Sequence, residues 1–244
     1  RVMKPYNKAN RTKSEEIQEM FDRIAPRYDL LNHTLSAGID KLWRRRVVKM
    51  VRQLRPSAIL DVATGTGDLA LAFARKIEGV KVVGADLSSG MLEQAREKIG
   101  RAKLKGEVEL ICCAAESMPM LPDGGFDVAT VAFGVRNFGD LEQGIREMCR
   151  TLRKGGTLLI LEFSTPTHPL IRAPYRWYSR HILPRIGGAV SKERSAYEYL
   201  PQSVEEFLQP PQMIALLERI GLLEARAHSL SFGIAQIYTA RKAE

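Results

Sequence analysis

Cysteine is scarce in this chain of 244 residues, where Cys112, Cys113 and Cys149 are the only three. Three thiols, two of them adjacent, build neither a disulfide framework nor a four-ligand zinc site. They read as reduced packing residues of a cytosolic protein. No apolar run approaches the roughly 18 residues that a spanning helix needs, which removes an integral helical membrane protein. The stretch from Arg1 to Glu16 has no hydrophobic segment of the kind a secretory signal carries. Repeats and low-complexity tracts are missing as well. The four histidines, His33, His168, His181 and His228, are scattered without ligand spacing, so no metal is expected. Acidic residues are in deficit, 28 against 37 Lys and Arg, and the net charge of +9 favours an anionic partner: nucleic acid, a phospholipid surface or an acidic substrate.

What is present is a rhythm. The apolar runs AILDVA, KVVGAD, VELICCA, FDVATVAF and TLLILEF have strand length, and the amphipathic segments 68–76, 89–100 and 140–153 between them have helix length. That alternation predicts an α/β fold, a mostly parallel sheet with helices on both faces. Ahead of it Thr12 and Glu15 form a capping box, and Ile17, Met20, Phe21 and Ile24 recur at helical spacing until Pro26. A second helix carries Ile39, Leu42, Trp43, Val47, Met50, Val51 and Leu54 on one face, an apolar stripe expected to be buried, and ends before Pro56. Residues 1–55 thus read as a helical N-terminal cap on a single domain spanning 1–244, and residues 165–200 as an insert. A helix near 211–220 and two strands, 222–230 and 233–241, close the chain.

The chemistry concentrates at strand ends. LDVATGTGDLA runs from a strand through Gly65, Thr66 and Gly67 into a helix, and 21 residues after Gly65 the next strand ends in Asp86. A turn without β-carbons lets a nucleoside approach the backbone, and a carboxylate at the next strand's tip accepts hydrogen bonds from both ribose hydroxyls. A ligand-free turn also uses such glycines, but strand, turn, helix and acid in this order favour an adenosine-containing cofactor. Asp61, at the strand end, would meet an ammonium or the structured loop, and with Asp68 on the same turn it would repel a pyrophosphate and suit an ammonium or a sulfonium. This shifts the choice from a dinucleotide to S-adenosylmethionine. Ala114 and Ala115 end the third strand, where backbone groups meet an adenine, and Met118 suits either a ring face or the core. Gly134, Arg136 and Asn137 follow the fourth strand and are placed over the pocket.

The segments MFDRIAPRYDLLNHTLSAGIDKLWRR, LDVATGTGDLA, VVGADLSSGMLEQAREK, AESMPMLPDGGFDVATVAFGVRNFGD, LRKGGTLLILEFSTP and SAYEYLPQSV together resemble the ubiquinone and menaquinone biosynthesis C-methyltransferase family, from about Met20 to Lys242. The glycine turn is common to class I methyltransferases; the block from Tyr28 to Gly38, FGVRN and YxYLPxSV are specific to this family. The resemblance implies a Rossmann-like class I methyltransferase with a seven-stranded sheet. It would move a methyl group from S-adenosylmethionine to a ring carbon of a polyprenylated quinol, releasing S-adenosylhomocysteine. The acceptor is most simply demethylmenaquinol, with the benzoquinol of ubiquinone synthesis also open. Carried over by residue, Thr66 matches the threonine that touches the cofactor, Asp86 the ribose acid, and Ala114 with Ala115 the pair beside the adenine. Arg136, Asn137 and Tyr28 match polar residues near the substrate. Ala132 and Ala114 depart from side chains common in the family, so only backbone contacts survive there.

A polyprenyl tail keeps its owner in the bilayer, because each buried CH₂ contributes about 0.8 kcal/mol. A cytoplasmic enzyme must therefore meet the membrane's inner face as a peripheral protein. The insert's Arg172, Arg176, Arg180, Arg185, Lys192 and Arg194, interleaved with Tyr175, Trp177, Tyr178 and Ile182, suit an anionic leaflet and the substrate's mouth. A solvated charged lid is the bland alternative. His33 reads as a helix-cap or surface histidine before it reads as a base. Competing functions are a methyltransferase acting on RNA or another small molecule, and a non-catalytic S-adenosylmethionine-binding subunit of a quinone-biosynthesis assembly. The fourth strand lacks the Asn/Asp-Pro-Pro-aromatic run common in methylation of nucleobase amino groups, which disfavours nucleic acid. A homodimer is left open.

Overall fold

The computed structural model describes residues 4–6, 8, 10–36, 38–182, 185 and 194–244. The strands are β1 (Ala58–Val62), β2 (Lys81–Asp86), β3 (Glu107–Cys112), β4 (Phe126–Ala132), β5 (Leu152–Phe163), β6 (Leu222–Leu230) and β7 (Ala235–Lys242). The helices are α1 (Lys13–Ile24), α2 (Tyr28–Leu35), α3 (Ile39–Gln53), α4 (Asp68–Lys76), α5 (Ser89–Gly100), α6 (Leu141–Thr151), α7 (Pro169–Trp177), α8 (Arg194–Glu206) and α9 (Pro210–Arg219). The strands form one sheet in the order β3-β2-β1-β4-β5-β7-β6, parallel except for β7, which runs antiparallel to both neighbours. The strand order reverses direction between β1 and β4, and ligands in such sheets bind where that happens, beyond the carboxyl ends of the strands.

Period-two side-chain alternation sends each strand's residues into two cores. Leu60, Val62, Ala129, Val131, Leu158 and Ile160 pack under α6 and α9 through Ile145, Met148, Met213 and Leu217. Ile59, Val128, Leu159, Leu161 and Ile237 face the other way, onto Trp43, Val47 and Val51 of α3 and Phe73 of α4. A third cluster joins Ile17, Met20 and Ile24 of α1 to Met91 of α5 and to Ala196 and Tyr199 of α8. It lies over the sheet's carboxyl edge and roofs the region where ligands bind.

Local signals hold these elements. The Thr12 hydroxyl accepts from Glu15 N–H (3.2 Å) and the Glu15 carboxylate accepts from Thr12 N–H (2.7 Å), closing the capping box. Ser88 caps α5 by accepting from Met91 N–H, and Asp140 caps α6 by accepting from Gln143 N–H. Asp22 of α1 reaches across to accept from Ser88 Oγ (2.6 Å) and Gly90 N–H (3.0 Å), which pins the roof to the start of α5.

The structure departs from the sequence reading in places. Cys112 is exposed rather than packed, because β3 is an edge strand. β5 begins at Leu152, before the apolar run, and β7 begins at Ala235, because residues 231–233 form a turn. Helices α2, α7 and α8 occupy stretches whose periodicity is too short or too broken by proline to stand out.

One close approach sets the site's base. A β-carbon on Gly134 would lie 2.5 Å from that of Ala63, so the turns after β4 and β1 meet backbone to backbone. Ala63 itself has a positive φ of 50°, which glycine adopts without strain. Gly134→Ala should destabilise the fold by about 1–3 kcal/mol, and adding Ala63→Gly should recover most of that loss in urea unfolding midpoints.

Candidate active site

Two cavities meet at the carboxyl edge of the sheet. The first is bounded by Gly65 after β1, Asp86 at the tip of β2, Cys113 and Ala115 after β3, and Ala132 and Gly134 after β4, with Ser14, Ile17 and Gln18 of α1 above. The second, about 380 Å³, is walled by Trp43, Phe133, Phe163, Tyr175, Tyr178 and Tyr199, with Arg136 in its polar corner. Phe21, Tyr28, Phe133 and Asn137 belong to both walls.

Asp86 accepts from Gly65 N–H and from Ser88 N–H, each at 2.8 Å and each on a different oxygen. Each oxygen retains a second acceptor position, which is what a vicinal diol requires. Burial pushes this carboxyl up to about 6, against the two N–H donors that hold it down and with Asp22 raising it further. Among the described residues the first cavity is lined by two acids, Asp86 and Glu116, and by no Lys or Arg. A pyrophosphate would meet only like charge there; a cationic ligand meets its complement. The donor and acceptor set therefore fits a nucleoside bearing a positive charge.

The residues that suggested this from sequence are arranged differently. Asp61 is completely buried beneath the turn, where Thr64 and Thr130 hydroxyls both donate to it at 2.7 Å, and it does not line the cavity. Burial pushes its carboxyl up to about 6 despite those two donors. Asp68 pairs with Lys98 at 2.5 Å, and Lys98 also holds Asp29 at 2.6 Å. Thr66 donates to Asp29 (2.5 Å) and accepts from Lys98 (3.0 Å). Thr66, Asp61 and Asp68 thus stiffen the turn from behind, while the cation preference comes from Asp86 and Glu116. Gly67 caps α4 at φ 81° and sits outside the cavity wall. Ala115 lines the cavity, whereas Ala114 does not. Met118 is core, with no exposed surface.

Arg136 and Asn137 come from a single 3₁₀ turn (Val135–Asn137) and separate their roles. The Arg136 Nη1 donates to Glu162 Oε1 at 2.6 Å and to the Phe133 carbonyl at 2.7 Å, and Nε donates to Ser203 at 3.3 Å. Glu162, at the end of β5, has no exposed surface, and the Arg136 side chain retains only 7%. The guanidinium also lies 5.4 Å over the Phe163 ring. Its Nη2 bonds to none of the described residues and so keeps two donors. Asn137 Oδ1 is buried without a partner at the junction of the two cavities, an acceptor that a ligand hydroxyl would satisfy. Glu162 escaped the sequence reading, although its signal was present: a lone acid closing the apolar run TLLILEF must be paired.

Burial pushes the Tyr175 and Tyr199 phenols up to about 12, opposed by nearby Arg136, so both stay protonated donors near neutrality. Asp40, also in this wall, is raised by burial but held below the usual carboxylate range by the Ser36 hydroxyl, Arg44 and His33. His33 is held by Asp40 at 2.9 Å on one nitrogen and faces Asp68 at 3.6 Å on the other, outside both cavity walls. Of the insert, Arg176 and Arg180 both pair with Glu205, at 3.5 and 2.7 Å. Arg172 is exposed, while Lys192 and the side chain of Arg194 lie outside the described residues.

This sheet order and this cavity at the strand reversal define the fold of class I, S-adenosylmethionine-dependent methyltransferases. Solved structures share it: a SAM-dependent methyltransferase from Thermotoga maritima superposes with a TM-score of 0.62 at 19% identity over 93% of this chain and 99% of its own. Another from Aquifex aeolicus gives 0.56 at 20% identity over 79% and 87%. The chain belongs to the ubiE/COQ5 methyltransferase family, whose model matches residues 9–242. It is 43% identical over 242 residues to the demethylmenaquinone methyltransferase of Bacteroides fragilis, covering 98% of this chain and 97% of that one. It is 46% identical over 231 residues to the ubiquinone/menaquinone biosynthesis C-methyltransferase of Geotalea daltonii, covering 94% and 97%.

The buried Asp61 has a pH signature. Its folded pKa lies above its unfolded value near 3.8, so its contribution to stability is fully present below about pH 4 and is lost as pH rises through about 6. Asp61→Asn removes that loss. Between pH 4 and 6.5 the parent's unfolding free energy from urea titration should fall relative to the variant's by on the order of 2 kcal/mol.

Proposed function

We propose that this protein transfers a methyl group from S-adenosylmethionine to a ring carbon of a polyprenylated quinol, most simply converting demethylmenaquinol to menaquinol. The observation that carries the reading is the shared wall. Among the described residues a cavity lined by acids and by no Lys or Arg, suited to a cationic nucleoside, abuts an aromatic cavity whose wall holds the buried guanidinium of Arg136. The family and its relatives' names give the reaction class the same direction.

Gly65, Asp86 and Ala115 hold the cofactor, Asp86 through the ribose hydroxyls, and Thr66, Gly67, Asp61 and Ala114 shape the loops around it. Bound there, the cofactor supplies an electrophilic methyl group on a sulfonium and departs as S-adenosylhomocysteine. The ring carbon becomes nucleophilic when the adjacent hydroxyl loses its proton, which is why the quinol and not the electron-poor quinone is the substrate. The Arg136 Nη2 donors stabilise the resulting phenolate oxygen. Asn137 Oδ1 accepts from a ring hydroxyl, and Tyr28 closes the wall between ring and methyl donor. The ring carbon would take that methyl group and release its proton to water, which restores aromaticity. Phe133, Phe163 and Trp43, mutually 4.5–6.0 Å apart between ring centroids and inclined to one another by 33–83°, form an apolar aromatic corner that would hold the substrate ring in near-attack geometry.

In this reading the chain works as one methyltransferase domain, with residues 1–55 as the helical cap and 165–200 facing the substrate. None of the described helices is long and apolar enough to cross a membrane. The substrate's tail stays in the lipid, so the enzyme works as a peripheral protein at the membrane's inner face.

Purified protein given methyl-labelled S-adenosylmethionine and reduced demethylmenaquinol should form labelled menaquinol; no label in that product, with tight cofactor binding intact, would overturn the reading. Arg136→Ala would leave Glu162 buried without its partner, so Arg136→Lys is the more informative change. It keeps the ion pair but loses the fork, and should lower kcat by about a hundredfold without altering S-adenosylhomocysteine affinity measured by calorimetry.

A further inference from the structure

We infer that the outer face of α3, together with the 231–233 turn, is the surface that docks on anionic lipid and opens the aromatic cavity sideways into the bilayer. The inference rests on the quinol reading above and adds where the membrane lies. Ile39 and Leu42 stand one turn apart on α3 and are 40% and 57% exposed. Ile39 also lines the aromatic cavity, so the cavity reaches the surface at that point. Lys41, Arg45, Arg46, Lys49 and Arg52 are exposed on the same helix, whose single acid, Asp40, is buried and paired with Arg44. None of those five cations has an ion pair among the described residues.

Across the mouth, Ser231, Phe232 and Gly233 all take left-handed φ, at 46°, 59° and 91°. Two non-glycine residues in that region hold a Phe232 ring out in solvent at 81% exposure, an arrangement that water alone does not reward. Trp43 Nε1 donates to Ser231 Oγ at 2.9 Å, tying the turn to α3, and Ser231 and Ile234 line the same cavity. The rim therefore pairs apolar side chains at the mouth with unpaired cations behind them, the pattern of an interfacial helix. The insert is the weaker candidate, because Arg176 and Arg180 share the carboxylate of Glu205, which offsets one of their two charges, and Arg185 donates to the His181 carbonyl. A second copy of the chain is a poor occupant for a face carrying five unpaired cations.

Flotation on phosphatidylglycerol/phosphatidylcholine vesicles tests this. The parent should float with anionic vesicles and release at high salt. Arg45→Gln, Arg46→Gln and Lys49→Gln combined should weaken binding by roughly fivefold per charge. Leu42→Asp with Phe232→Asp should abolish flotation, while Arg180→Gln should leave it unchanged. All variants should methylate a short-tailed demethylnaphthoquinol in detergent at the parental rate and lose turnover only on vesicle-embedded quinol. Unaltered flotation of both rim variants, or an equal loss in Arg180→Gln, overturns the inference, as does a dimer in sedimentation that the Leu42/Phe232 change dissolves. Absence of methyl transfer to the soluble quinol would instead overturn the catalytic reading and leave the docking result standing.

Discussion

A guanidinium buried beside a fully buried carboxylate is the constraint around which this site is built. Desolvating Arg136 and Glu162 separately would cost several kcal/mol each, and the pair is tolerable only because each satisfies the other with additional hydrogen bonds. Those bonds fix three elements at once: the end of β5 through Glu162, the turn after β4 through the Phe133 carbonyl, and α8 through Ser203. Arg136 also lines the aromatic cavity, so the same geometry that stabilises the interior fixes a cation in that cavity's wall.

The two cavities divide polarity between them. The nucleoside side is defined by carboxylates and backbone donors at strand tips; the ring side is defined by aromatic faces with Arg136, and with Arg44 paired to Asp40. Asn137, Tyr28, Phe21 and Phe133 stand at the junction. Roofing by α1 joins the halves. Asp22 binds the start of α5, and Lys13 Nζ donates to the Arg136 and Phe138 carbonyls at 2.9 and 2.8 Å. Burial lowers the Lys13 pKa, opposed by Glu116, so the roof is held by a cation that is itself partly desolvated.

Much of this was legible in the chain. Gly65 and Asp86, 21 residues apart, were expected to face one ligand, and a direct hydrogen bond joins them. Arg136 and Asn137 were placed over the pocket from their position after β4, and both line it. The reasoning was less secure where several partners compete for one side chain. Asp61 was read as meeting either an ammonium or the structured loop, and Asp68 as a second acid suited to a cation on a ligand. Thr64 and Thr130 take up the first and Lys98 the second, because a carboxylate within reach of protein donors is satisfied by them. Glu162 was passed over because a single acid in an apolar run carries no sign of its distant partner.

Sequence alone determined the alternation of strand and helix, the caps, the glycine turn and the acid at the second strand's tip. Each is decided by residues a few positions apart, where periodicity and backbone preference act directly. Only the tertiary structure decided that Arg136 meets Glu162, that Trp43 of α3 holds the 231–233 turn through Ser231, and that Arg176 and Arg180 share Glu205 while Lys41, Arg45, Arg46, Lys49 and Arg52 pair with no described acid. Charges and apolar side chains find such partners through space, and their pairing depends on which elements the sheet brings together, a long-range outcome that no local pattern encodes.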